Sequence, residues 1–305
     1  MKKMILSAGL CLLSLSSLMA RAELNIFSCE PEWSALSELL AGDKVTIFTA
    51  TTGLQDPHHI QARPSLIAKI RQADLLVCTG AELEVGWLPP LLRRASNGKI
   101  QPGQLGYFMA STHVKLLGAP KQLDRSQGDI HAAGNPHIQT NPENMLRVAK
   151  ALSARLMQLD PINSAFYQQR FEQFDTDWQQ ALQRWRKQLE PLHGQSIVVY
   201  HASWDYLEDF AQLKTVAAIE DKPGIPPTSG HLAALLQQLR AQPAMAIVYA
   251  AYQSGEPAQW LAQRTGIPVL KLPFTVGGTE QANDLYSLYD TSFDALLKAY
   301  HHAQH

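Results

Sequence analysis

The sequence predicts an α/β protein of two lobes, each a parallel sheet flanked by helices, joined by a single long linker helix. Three observations carry this. Short apolar runs of strand length alternate with segments whose apolar residues recur at helical spacing. That alternation implies parallel strands covered by helices on both faces. It is broken once, by a stretch that has no glycine and no proline after its opening Asp160-Pro161, and it then resumes.

Residues 1–22 read as an export signal. Met1-Lys2-Lys3 is positive, 4–18 is apolar with small polar interruptions, and Ala20-Arg21-Ala22 fits the small-x-small cleavage pattern. The apolar run is too short for a membrane anchor, so a soluble periplasmic protein starting at Glu23 is expected. In the N-terminal lobe, 23–160, strands are expected over 24–28, 45–50 and 75–78, with helices over 33–40 and 65–72. Asn141-Pro142-Glu143 opens another helix, with proline in its first turn and a stripe through Leu146, Ala149 and Leu152. The linker, 161–192, places Phe166, Phe171, Phe174, Trp178, Leu182, Trp185 and Leu189 three to five residues apart, as one helix face. At 1.5 Å per residue it would reach roughly 45 Å and could pack along both lobes. In the C-terminal lobe, 193–305, strands over 196–200, 215–219, 246–249 and 269–272 alternate with helices over 202–213, 231–240, 259–265 and 284–300.

A hydrophobic fraction of 46% supports a sizeable core. The 26 basic and 27 acidic residues are spread along the chain, and no basic block offers a footprint for nucleic acid or a membrane surface. Cys29 and Cys78 remain after cleavage. An oxidising compartment permits a bridge between them, and adjacent parallel strands would bring their Cα atoms within the roughly 7 Å that a disulfide needs. The other reading is a pair of buried free thiols packed as small hydrophobes.

The chemistry concentrates on three histidines: His58 in Leu54-Gln55-Asp56-Pro57-His58, His137 in Gly134-Asn135-Pro136-His137, and His201 in Val198-Val199-Tyr200-His201. Neutral imidazole is the commonest protein ligand for zinc, and three converging rings make most of a tetrahedral site. In open α/β sheets, ligands bind beyond the carboxyl ends of strands, and sites between lobes are preferred. The prolines before His58 and His137 restrict the backbone and help aim each ring. His59 stays open as an alternative to His58. An exported zinc hydrolase is the rival class, but the sequence lacks His-Glu-x-x-His, Gly-x-Ser-x-Gly and a phosphate loop, and no catalytic residue is assigned. A receptor for a chelated or organic ligand would leave the histidines without a joint purpose.

Asp56-Pro57-His58, Pro64-Ser65, Ala73-Asp74-Leu75-Leu76, Gly80, Leu83-Glu84, Gly134-Asn135-Pro136-His137 and Tyr200-His201 follow one another along the chain. In that order they resemble the zinc- and manganese-binding solute receptors of ABC importers, cluster A-I, over nearly the whole mature chain. The resemblance implies a metal held between the lobes by His58, His137, His201 and a carboxylate of the C-terminal lobe. It also implies delivery to an ABC permease at the cytoplasmic membrane. A monomer is expected; a periplasmic metallochaperone is a further candidate partner that the sequence itself does not identify. Members with glutamate at the third position tend toward manganese, whereas histidine there points to zinc. Imidazole nitrogen suits Zn2+ and carboxylate oxygen suits harder ions. Zn2+ is therefore the expected cargo, with manganese or another divalent ion as the alternative.

Two departures stand out. The stretch 115–134 holds one histidine, His131, beside Asp129, so an auxiliary capture loop is short or absent. The family's aspartate falls near Thr275-Val276-Gly277-Gly278, where this chain has none. Asp284 is the expected substitute, since a carboxylate would complete the tetrahedron and offset the ion's charge, with Glu280 or water as the alternatives. Its other reading is the N-cap of the last helix.

Overall fold

The computed structural model describes residues 23–120 and 128–304. The export signal expected over 1–22 lies outside them. The N-terminal lobe runs β1 (Leu24–Ser28), α1 (Pro31–Ala41), β2 (Val45–Thr49), α2 (Pro64–Gln72), β3 (Leu75–Cys78), α3 (Leu88–Ala95) and β4 (Tyr107–Met109). Its strands lie parallel in the order β2-β1-β3-β4. After α4 (Pro142–Leu159) and α5 (Ser164–Leu189), the C-terminal lobe runs β5 (Ser196–Val199), α6 (Asp205–Ala211), β6 (Lys214–Ala218), α7 (Ser229–Ala241), β7 (Ala246–Ala250), α8 (Glu256–Thr265), β8 (Val269–Leu272) and α9 (Leu285–Ala303). Its parallel order is β6-β5-β7-β8. The lobes repeat one topology with no repeat visible in the residues, because topology constrains where apolar runs fall and not which residues fill them.

The expected strands and helices are present, and two elements are added. β4 is three residues long, too short for periodicity to mark. In α3, Pro89 and Pro90 sit in the first turn, where the backbone N–H groups have no intrahelical partner to lose.

α5 is the brace. With the 3-10 turns Pro161–Asn163 and Glu190–Leu192 at its ends, the helical run covers 161–192. Trp178 and Trp185 are fully buried on one of its faces. The Trp178 indole N–H donates to the Pro142 carbonyl at the start of α4, 2.8 Å away. The Trp185 indole donates to Asp290 of α9 at 2.6 Å. One helix face is thereby fixed to both lobes, and the rings of Tyr289 and Phe293 on α9 close around Trp185. Of the two cysteine readings, the bridge is the one found. β1 pairs with β3, Ser28 opposite Val77, and Cys29 is joined to Cys78 with Cα atoms 4.8 Å apart.

Candidate metal centre

The Asp/Asn-Pro-His motif is a small machine for presenting an imidazole, and the chain uses it twice. The side-chain oxygen of the first residue accepts the backbone N–H of the histidine two residues on. Asp56 Oδ1 accepts from the His58 N–H and Asn135 Oδ1 from the His137 N–H, each at 3.0 Å. Proline holds φ between them. Asp56 Oδ1 also lies 2.8 Å from His58 Nδ1. Burial is the largest single influence on Asp56 and opposes its ionisation. The side-chain and backbone hydrogen bonds from His58, with the nearby His58 and His59 rings, together outweigh it and hold the carboxyl below its usual range. A carboxylate can only accept, so Nδ1 carries the proton and Nε2 presents a lone pair.

His201 is built by a different route to the same end. It follows β5 directly, and its Nδ1 lies 2.7 Å from Glu220 Oε2, on the loop after β6. The Gly224 N–H, 2.8 Å away, donates to the same oxygen and fixes it. Nε2 of His201 is again the nitrogen left for a ligand.

The structure brings His58, His137 and His201 together from both lobes. Ring centroids are 5.2 Å apart for His58 and His137, 5.7 Å for His137 and His201, and 6.0 Å for His58 and His201. Rings around one zinc, at Zn–N of about 2.0–2.1 Å, would have centroids about 5 Å apart. His137 is the deepest, 1% exposed, and neither of its ring nitrogens has a hydrogen-bond partner. Burial, followed by the neighbouring His58 and His201, pushes its pKa well below the usual imidazole value. A neutral, buried ring with two unsatisfied nitrogens is costly unless a lone pair finds an acceptor such as a metal ion.

His59 points elsewhere, its Nε2 3.6 Å from Asp129 and its side chain 65% exposed. Asp284 takes the structural one of its two readings. It is exposed at the N-cap of α9, and its carboxylate accepts from the Ser287 N–H at 2.7 Å and the Ser287 hydroxyl at 2.8 Å in a capping box. Among the described residues, the ligand atoms that lie within 4.8 Å of one another here are those of His58, His131 and His137. Asp284 lies outside that group, and so does His201, whose ring stands 5.7 Å from His137 and 6.0 Å from His58. His131 Nε2 lies 3.3 Å from His58 Nε2, and the His131 ring sits 5.3 Å from His58 and 6.2 Å from His137. Burial, followed by the proximity of the His58 ring, lowers the His131 pKa to about 4. Asp56, Glu220 and His131 are residues to which the sequence alone assigns no role at the metal site. The signal for Asp56 was its fixed place two residues before a histidine; Glu220 and His131 carry no local motif.

Comparison with known proteins places the chain in a family. The family described as ZnuA, zinc-uptake complex component A periplasmic, matches residues 26–299. The metal ABC transporter substrate-binding lipoprotein SloC of Streptococcus mutans is 24% identical, covering 90% of this chain and 94% of its own. The manganese ABC transporter substrate-binding lipoprotein PsaA of Streptococcus pneumoniae is 22% identical, covering 92% and 88%. Among solved structures, a ZnuA crystal structure superposes with a TM-score of 0.74 at 21% identity, over 90% of this chain and all of that one. The Mn-bound periplasmic metal-binding protein of Candidatus Liberibacter asiaticus does so with 0.74 at 18%, over 91% and 100%. Among the described residues no helix is long and apolar enough to cross a membrane. The chain thus belongs to the ZnuA family of metal-binding receptors, and is an extracytoplasmic substrate-binding component of a metal ABC importer rather than an enzyme.

Proposed function

We propose that this receptor captures zinc in the periplasm, on His58, His137 and His201, and hands it to its ABC permease. The observation that carries the reading is His137. A fully buried imidazole with both nitrogens unpartnered is a poor structural residue and a good ligand. The donor set supports zinc over manganese, because all three gathered side chains offer imidazole nitrogen, and Asp56 and Glu220 grip the far nitrogens instead of facing the ion. The lobes 23–160 and 193–305 form the two walls, and the linker 161–192 holds their spacing.

Manganese is the second reading, favoured by the names of several relatives. Competitive equilibrium dialysis separates them. Chelator-stripped protein dialysed against equal free zinc and manganese is expected to retain one zinc per chain and almost no manganese. Retention of manganese in preference to zinc would transfer the assignment.

A further inference from the structure

The segment 128–134 carries His131 and crosses the mouth of the site. Its two ends are glycines in left-handed conformations, Gly128 at φ +92° and Gly134 at φ +124°. Neither could be replaced without collision. A Cβ on Gly128 would meet the Pro223 carbonyl oxygen at 2.1 Å, and one on Gly134 the Leu117 oxygen at 2.6 Å. Between them the segment is tied to both lobes. The Asp129 N–H donates to the Pro223 carbonyl of the C-terminal lobe at 2.9 Å. The Ala132 N–H donates to Glu82 Oε2 of the N-terminal lobe at 2.6 Å. The segment is a strap, and its one imidazole faces inward.

We propose that His131 is the fourth ligand of the transported ion, so that zinc fastens the strap across the two lobes. The inference rests on the zinc-receptor reading and adds to it the residue that closes the coordination sphere. Two nitrogens bound to one zinc at about 2.0–2.1 Å, at the tetrahedral angle, lie about 3.3 Å apart. The His58 and His131 Nε2 atoms are 3.3 Å apart. With His58 held by Asp56 as the Nδ1–H form, the proton between the two Nε2 atoms belongs to His131. Zinc arriving there takes both lone pairs, and the His131 proton moves to its other nitrogen.

Among the described residues the nearby carboxylates are engaged elsewhere: Asp284 with Ser287, Asp129 with His59 and Glu82 with the Ala132 N–H. A cavity of about 300 Å3, lined by His58, His131, His59, Glu82 and Asp129, opens beside the strap and offers an ion a way in. Four imidazoles and no carboxylate would make a site selective against hard, oxygen-seeking ions. A carboxylate at this position would relax that selectivity.

The test uses zinc on the purified chain, comparing the parent with His131→Ala, His131→Gln and His137→Ala. X-ray absorption at the zinc edge should count one imidazole fewer in both His131 variants, an oxygen taking its place. Chelator competition should show zinc held at least tenfold more weakly. Hydrogen exchange should show zinc protecting the Asp129 amide in the parent and leaving it unprotected in His131→Ala. Unchanged imidazole count and affinity in both His131 variants would overturn the inference. If His137→Ala loses zinc in that case, the receptor reading survives alone; if it too binds like the parent, both readings fall.

Discussion

At the residue scale, the site is a set of lone pairs oriented by acids that never need to touch the ion. Asp56 and Glu220 fix the tautomers of His58 and His201, and a ligand so oriented is already in its binding form. Asp284 shows the opposite case, a carboxylate in the right region with other work to do. An Asp284→Asn variant should keep its zinc affinity and its stability, since asparagine caps about as well, whereas Asp284→Ala should lose about 1 kcal/mol of stability with zinc binding unchanged. Chemical denaturation and chelator competition on the two variants check this. A second residue-scale prediction concerns three acids buried beside the site. Burial, with the neighbouring carboxylates, raises Glu30; burial above all lifts Glu32 and Glu84 to about 7. The Thr275 hydroxyl donates to Glu32 across the lobes. A carboxyl whose folded pKa exceeds its unfolded value of 4.5 contributes stability below pH 4.5, and that contribution is lost as pH rises through about 7. The stability of Glu32→Gln relative to the parent should therefore increase from pH 4.5 to pH 8, measured by denaturant titration of metal-free protein. A pH-independent difference would show Glu32 titrating normally.

At the element scale, what was legible in the sequence follows from how each element announces itself. The linker helix was readable because its aromatic stripe recurs at helical spacing over seven turns' worth of chain without a breaker. β4 was not, since three residues give no period, and α3 was masked by two prolines in its first turn. The Asp/Asn-Pro-His turns were legible as places where a histidine is aimed, because local backbone chemistry specifies them. The strap carrying His131 was not. Its position depends on the Pro223 carbonyl and on Glu82, both far from it along the chain and therefore invisible to any local pattern. The disulfide lies between these cases: strand adjacency is guessable from alternation, and Ser28 opposite Val77 is the register that makes it close. The brace itself can be tested. Trp185→Ala should cost about 3–5 kcal/mol, the usual range for a buried tryptophan, while Trp185→Phe should lose mainly the hydrogen bond to Asp290, about 1 kcal/mol. Equal losses in both variants would mean that the indole N–H, not the packing, holds α9 to the linker.

At the scale of the whole molecule, a continuous helix fixed to both lobes limits how they can move. α5 is bound to α4 through Trp178 and to α9 through Trp185, so wide hinge closure would break buried contacts. Zinc should order the loops at the cleft and tilt the lobes only slightly. Small-angle scattering should then give nearly superimposable curves with and without zinc, and a shift of the size of a large domain closure would contradict the brace. The central claim, that His58, His137 and His201 together hold one zinc, is tested most directly by zinc stoichiometry and chelator-competition affinity on the parent and the three single alanine variants. The expected result is one zinc per parent chain, held more than tenfold more weakly in each variant, a loss of more than about 1.4 kcal/mol, with the fold intact by circular dichroism. Three folded variants that all bind zinc like the parent would contradict it.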